Sequence, residues 1–247
     1  MSRIKFLNTE IDNLTMNEAL DKIDKFIINR KPSYVVTPNV DHIVKLDNDE
    51  EFKAVYKDAD LILTDGMPLI WISKFKGTPI KEKVSGSDLF PKICELSAQK
   101  GYRIFLLGAA EGVAAKAAER LQNKYVDLKI VGTYSPKYGF ERDEREIEKI
   151  INIIKLSKPD ILAVGLGAPK QEKFIYEFKD KLNVPVSLAI GASIDFEAGN
   201  IERAPEWMQK CGLEWFYRLC KEPRRMYKRY LIDDIKILKL ALIGGRE

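Results

Sequence analysis

An aspartate that follows an apolar run and precedes a glycine is the first residue of this chain equipped for chemistry. Asp65 stands directly after residues 61–64 (LILT) and before Gly66. A carboxylate held at such a strand exit can take a proton from a neighbouring ligand as a general base. The same spacing suits a loop aspartate that caps a helix starting near Pro68. Thr37 and Asn39 flank Pro38 just after residues 33–37 (SYVVT) begin to turn. Both side chains donate and accept hydrogen bonds, as sugar hydroxyls or a base edge require, and both equally fit an Asx-type turn or a helix cap.

Glycine turns offer a second class of site. Gly165-Leu166-Gly167 precedes Pro169, and Gly108 opens the looser stretch that ends at Gly112. Neither matches GxGxxG, and no GxxxxGK[ST] is present, so phosphate chemistry of the P-loop kind has no support. Tight strand-to-helix packing accounts for either turn equally well. Pro169 reads as the first residue of a helix, whose free amides could receive a phosphate or a carbonyl. Asp58-Ala59-Asp60 has the spacing that holds a divalent metal on a nucleotide diphosphate. It comes before its strand, at the wrong end of the sheet, and is rejected as a metal site. No other carboxylate or histidine cluster replaces it. The single histidine, His42, argues against His-rich metal centres and Ser-His-Asp hydrolysis.

The elements that must position these residues alternate strand with helix. Strands are expected at residues 33–37, 61–64, 103–107 (RIFLL), 129–131, 160–164 (DILAV) and 186–190 (VSLAI), with helices at 87–100, 112–125 and 142–156. That order predicts an α/β fold with a mostly parallel sheet and helices on both faces. Ligands of such sheets bind at the carboxyl ends of the strands, where the residues above lie. After Asn200 the grammar changes. Met208, Cys211, Trp215 and Leu219 recur at helical spacing, widened by Leu213 and Phe216. Arg218, Lys221, Arg225 and Lys228 would share one helical face, but Pro223 interrupts it, so two helices are expected. The boundary separates a core at 1–200 from an appendage at 201–247.

Composition sets the outer limits. The 247 residues are 45% hydrophobic and 32% charged, enough for a full core and incompatible with intrinsic disorder. Cys94, Cys211 and Cys220 form no CxxC pair, which argues against a disulfide framework or structural zinc and fits a reducing compartment. The N-terminus lacks an apolar stretch of signal-peptide length, and apolar runs fall far short of the roughly 20 residues of a membrane span. A cytoplasmic-type protein is expected. Net charge is +4, but residues 203–230 carry eight basic and three acidic side chains. Trp207, Trp215, Phe216, Tyr217, Tyr227 and Tyr230 are interleaved with those cations. The mixture suits a membrane interface or guanidinium capture of a diphosphate. Nucleic acid lacks any reading module here. A solvated or packed helix face is the plain alternative. The apolar stripe, if exposed, favours a homo-oligomer.

Together the strings TPNVDH, TDGMPLIW, KVSGSDLFP, FLLGAAEGV, VGLGAPKQEKFI, GASIDFEAGNIERAPEW and GLEWFYRLCKEPRRMYKRY resemble the WecG/TagA/CpsF family of glycosyltransferases over nearly the whole chain. The chain is most similar to the TagA branch, N-acetylmannosaminyltransferases of wall teichoic acid synthesis. The resemblance implies a Rossmann-like core with a C-terminal helical appendage and no cofactor or metal requirement. It implies inverting transfer of N-acetylmannosamine from UDP-ManNAc to undecaprenyl-diphosphate-GlcNAc, giving a β-1,4 disaccharide lipid. Asp65 then matches the catalytic base. Thr37 and Asn39 match polar groups near the sugars, and Gln171 and Asp195 other pocket positions. Gly108 is placed with the substrate-binding residues. Arg218, Arg224 and Arg225 match appendage arginines thought to complete the site. Lys83 stands where arginine is usual, keeping the charge and losing the bidentate fork. The lipid acceptor implies peripheral association with the inner face of the cell membrane. Three rivals stand beside this reading: another donor such as UDP-ManNAcA, a nucleotide-cofactor oxidoreductase without its fingerprint, and a non-catalytic membrane-binding module.

Overall fold

Strands that are apolar on both sides need cover on both faces, and the sheet is built accordingly. The structure, a computed structural model, describes residues 3–228, 230 and 234–243. The chain opens with a hairpin, β1 (Arg3–Phe6) and β2 (Thr9–Asp12), then helix α1 (Met16–Asn29). β3 (Ser33–Val36), α2 (Val40–Leu46), α3 (Glu50–Lys57), β4 (Leu61–Ile62), α4 (Met67–Phe75) and α5 (Gly86–Lys100) follow. Next come β5 (Arg103–Gly108), α6 (Val113–Lys124), β6 (Lys129–Tyr134) and α7 (Glu144–Ser157). β7 (Ile161–Gly165), α8 (Lys170–Leu182), β8 (Val186–Ala189) and α9 (Ser193–Ala198) complete the α/β body. Beyond it lie α10 (Glu206–Lys210), α11 (Glu214–Lys221), α12 (Pro223–Lys228) and α13 (Lys236–Ile243).

Strands β4-β3-β8-β7-β5-β6 form one six-stranded sheet, parallel throughout. The period of two along β5 divides the core cleanly. Ile104 and Leu106 enter the layer that holds Leu89, Phe90 and Ala117, while Phe105 and Leu107 enter the layer that holds Ile150, Ile154 and Phe174. Each such side chain contributes about 1.5–3 kcal/mol on full burial. The Rossmann-like α/β body with a helical C-terminal part is therefore present as expected.

Several expectations change at element ends. The hairpin β1–β2 is absent from the sequence reading because its turn, Leu7-Asn8, has neither Gly nor Pro, although Leu7 takes φ 54°. Its job is to deliver Asp12, whose Oδ2 accepts the Ile62 N–H at 2.9 Å and Arg3 Nη2 at 3.1 Å. β3 stops at Val36 and β4 at Ile62, short of the expected Thr37 and Thr64. The exits remain tied by backbone bonds, with Leu63 N–H donating to the Val36 carbonyl and Asp65 N–H to Pro38. β6 runs on to Tyr134, past the expected Val131. Pro169 caps α8 from outside, after a cis peptide bond with Ala168, and does not itself start the helix. The stripe from Met208 to Leu219 is likewise split between α10 and α11. Gly212, at φ 73°, makes the break, and a Cβ there would sit 2.8 Å from Met67 Cβ and from Trp71 Cζ2. The appendage thus seats Gly212, a residue without a side chain, directly on α4. Pro223 begins α12, as its fixed φ favours, so the basic segment is two helices.

Candidate active site

The carboxyl ends of β3, β4, β7 and β8 open into one cleft of about 770 Å³, closed on its far side by the appendage. The body supplies Thr37, Asn39, Asp65, Lys83, Gln171 and the turn Gly191–Ser193; the appendage supplies Glu214, Trp215, Arg218, Lys228 and Tyr230. A parallel sheet makes this arrangement natural, since every strand exit faces the same way.

Asp65 sits half-buried just past β4, its backbone N–H held by the Pro38 carbonyl at 2.8 Å. Among the described residues, no donor is bonded to its carboxylate. Burial pushes the Asp65 carboxyl above the ordinary carboxylate range, and the Glu214 charge adds to that, with Lys83 pulling the other way. A group shifted in this direction is a stronger base than a free aspartate. The helix-capping alternative does not hold, because α4 begins after Gly66 with no side-chain cap.

Lys83 faces the cleft with its Nζ 2.8 Å from Asp88 Oδ2. Asp88 in turn takes Arg203 Nη2 at 2.5 Å, and Arg203 Nε lies 3.7 Å from Glu214 Oε1. Burial works against the Asp88 charge, but Lys83 and Arg203 outweigh it and hold its carboxyl below the usual range. A chain of alternating charge therefore runs from the body, through Arg203, to the appendage.

Both line the cleft; Asn39 meets the plain expectation by capping α2, whereas Thr37 caps no helix and lies beside the Ala189 carbonyl of the neighbouring strand. Gln171 is buried and used at both ends: Nε2 donates to Glu172 Oε1 at 2.7 Å, and Oε1 accepts the Gly191 N–H at 3.1 Å. Arg218 projects from α11 into the cleft, its buried Nε without a hydrogen-bond partner among the described residues. Three expected residues fall elsewhere. Gly108 lies at the end of β5 outside the cleft wall, at φ 121°, where a Cβ would run into the Gly165 carbonyl oxygen. Packing of β5 on β7 explains it. Asp195 is on α9, its carbonyl accepting from Asn200 and Ile201, and does not line the cleft. Arg224 is exposed on α12 away from the lining. The Arg225 side chain lies outside the described residues. Asp58 and Asp60 are at the amino end of the sheet, bonded to the Tyr176 hydroxyl at 3.2 Å and the Tyr34 N–H at 3.0 Å.

The sequence reading did not anticipate Glu214, Lys45 or His42 in the wall, and named Lys228 only as part of a basic face. Glu214 starts α11 just past the Gly212 break, and a stripe read continuously from Met208 to Leu219 carried no signal for it.

The chain matches the Glycosyl transferase WecG/TagA/CpsF family over residues 4–246. It belongs to that family. Among curated relatives, the N-acetylglucosaminyldiphosphoundecaprenol N-acetyl-beta-D-mannosaminyltransferase of Bacillus spizizenii is 32% identical over 225 residues, covering 91% of this chain and 84% of the relative. The enzyme of that name from Bacillus subtilis is 32% identical over 220 residues, 89% and 83% of the two chains. Its namesake from Staphylococcus aureus strain MW2 is 26% identical over 227 residues, 91% and 87% covered. Transfer of a sugar with inversion to an acceptor hydroxyl calls for a base at that hydroxyl and positive charge near the leaving group. The cleft sets the Asp65 carboxylate and the Lys83, Arg218 and Lys228 cations in one wall-to-wall space.

Proposed function

We propose that this protein transfers N-acetylmannosamine from UDP-ManNAc to undecaprenyl-diphosphate-linked GlcNAc, with inversion, to give the β-1,4 disaccharide lipid that starts the teichoic acid linkage unit. The observation that carries this reading is Asp65: a carboxylate with raised proton affinity, set in a cleft that also presents the cations Lys83, Arg218 and Lys228. Asp65 takes the proton from the acceptor hydroxyl as that oxygen attacks the anomeric carbon. The bond from that carbon to the diphosphate oxygen breaks, and its electron pair leaves with UDP. Arg218 and Lys228 stand where they can offset the charge that builds on the departing diphosphate, the type of stabilisation that is usually the largest single contribution to catalysis.

The acceptor's lipid supports a second part of the reading, docking of the appendage on the inner face of the cell membrane. Among the described residues no helix is long and apolar enough to cross a membrane. The appendage nevertheless exposes Trp207, Phe216, Tyr227 and Ile235 beside its basic residues. Such a surface rests at headgroup depth on anionic lipid.

The test is UDP release from UDP-ManNAc with and without a polyprenyl-diphosphate-GlcNAc analogue, alongside Asp65→Asn. Acceptor-dependent release that the variant loses is the expected result. Release from UDP-ManNAcA and not from UDP-ManNAc would replace the donor. Silence across both donors, with liposomes and acceptor present, would overturn the enzymatic reading.

A further inference from the structure

A carboxylate is an awkward group in a cleft that receives a diphosphate, yet Glu214 lines it. Glu214 opens α11, and Arg218 follows four positions along the same helix, also in the lining. An acidic residue four positions before an arginine shares its helix face and stands in the favourable order for an ion pair. Among the described residues that pair is not made. Glu214 Oε1 lies instead 3.7 Å from Arg203 Nε, and the buried Nε of Arg218 has no hydrogen-bond partner.

Arg203 is held so that this is the edge it offers. It stands on the segment between α9 and α10 and does not itself line the cleft. Its Nη2 donates to Asp88 Oδ1 at 2.5 Å and its Nη1 to the Ser87 carbonyl at 3.2 Å, both on the first turn of α5. Asp88 is fixed in turn by Ser85 Oγ at 2.7 Å and Lys83 Nζ at 2.8 Å. With both terminal nitrogens engaged on α5, the Nε edge faces Glu214 and makes no hydrogen bond of its own among the described residues. A guanidinium presents donors on two edges at once, whereas a lysine could hold Asp88 or Glu214 but not both. Arg203, Asp88 and Glu214 are all half-buried, so water screens their charges only in part.

We propose that Arg203 is a positioning residue that draws the Glu214 carboxylate away from Arg218, so that the Arg218 guanidinium keeps its charge for the diphosphate of the sugar nucleotide. The inference rests on the cleft being the sugar-nucleotide site. Without Arg203, Glu214 is free to turn to its helical neighbour, and an ion pair there competes with the ligand for the same guanidinium. The unneutralised carboxylate also repels the ligand directly.

The probe is UDP, whose binding to the intact protein is followed by calorimetry without acceptor. Arg203→Gln should weaken UDP binding about ten- to hundredfold, the scale of one charge-assisted hydrogen bond lost, and should lower kcat/KM alongside. Adding Glu214→Gln should restore most of that affinity, because no carboxylate is left to occupy Arg218. A residue that merely seats the appendage predicts the opposite, since the double variant has lost both sides of the Arg203–Glu214 contact. With Arg218→Ala already present, Arg203→Gln should add little to the loss, because it acts through Arg218. If Arg203→Gln does not fold, Arg203→Lys keeps a charge on Asp88 while releasing Glu214, and its rescue by Glu214→Gln is read in the same way. Wild-type UDP affinity in the Arg203 variant overturns the proposal, and so does a double variant no better than the single one. A wild type that binds no UDP removes the reading of the cleft itself, and this inference with it.

Discussion

Gly212 offers the sharpest test of whether the appendage must sit on the body for the site to work. Substituting alanine keeps φ at 73° in a region where a side chain costs about 1–2 kcal/mol. The added Cβ would also stand 2.8 Å from Met67 Cβ and from Trp71 Cζ2. Met67 Cβ is bound to the α4 backbone and the indole is bulky, so neither yields cheaply. Overpacking of this kind costs about 1–3 kcal/mol. The sum, about 2–5 kcal/mol, shifts the balance between seated and unseated appendage by about thirty- to several-thousandfold. Gly77 supplies the control, since it has the same φ of 73° with nothing within 4 Å. Gly77→Ala carries the backbone cost alone. The assay is acceptor-dependent UDP release together with limited proteolysis of the α10–α11 junction. Gly212→Ala should lose turnover and gain cleavage there, while Gly77→Ala should keep both near wild type. If the two variants behave alike, with full turnover, the seating of Gly212 on α4 does not govern the cleft.

Asp65→Asn should lower turnover by about 10²–10⁴-fold, read as UDP release, without lowering the melting temperature. The sign follows from linkage: burial first, then Glu214, raises the Asp65 pKa in the folded state, so folding costs stability as pH rises through that raised value, and asparagine removes the cost at neutral pH. For the same reason the acid limb of kcat/KM, which reports the free enzyme, should lie above the normal aspartate range, and a limb at an unshifted position would refute the environment described. Asp88→Asn should weaken the fold by about 1–3 kcal/mol at neutral pH, since Lys83 and Arg203 lose a charged partner. Its carboxyl is held low, so this contribution should vanish in the wild type only as pH falls through the depressed value, which chemical denaturation across acid pH would show. Arg218→Ala should reduce turnover far more than melting temperature; the reverse pattern would make Arg218 a packing residue.

The parallel body was legible because its strands are buried on both faces and so appear as uninterrupted apolar runs, as in RIFLL and DILAV. The hairpin was not, because four-residue strands with charged residues at Arg3, Lys5 and Glu10 show little apolar contrast. In the cleft, strand exits marked Thr37, Asn39 and Asp65 well, since a fixed offset from a strand end fixes position. Gly108 and Asp195 sit at equally good offsets yet miss the wall: Gly108 is consumed by the close approach of β5 to β7, and on α9 Phe196, not Asp195, lines the cleft. Positions contributed by the appendage depend on how Gly212 turns the chain, which helical spacing across the break cannot express. Arg224 and Lys228 differ by one turn of α12, and the packing of that helix decides that Lys228 and not Arg224 meets the cleft.

Strand β8 is the last of the sheet in sequence and yet lies between β3 and β7. A ribosome delivers β3 and β4, then β5, β6 and β7, as two blocks with no bridge between them. Both present unpaired backbone edges until Val186–Ala189 emerges to join them, the state in which nascent strands are open to wrong partners. The Asp65 carboxylate exists on the growing chain long before that moment, but the amides of Gln171 and Gly191 and the cations of the appendage do not. Synthesis order thus withholds the assembled cleft until the central strand has closed the sheet, so a half-made chain carries the base without a place to use it.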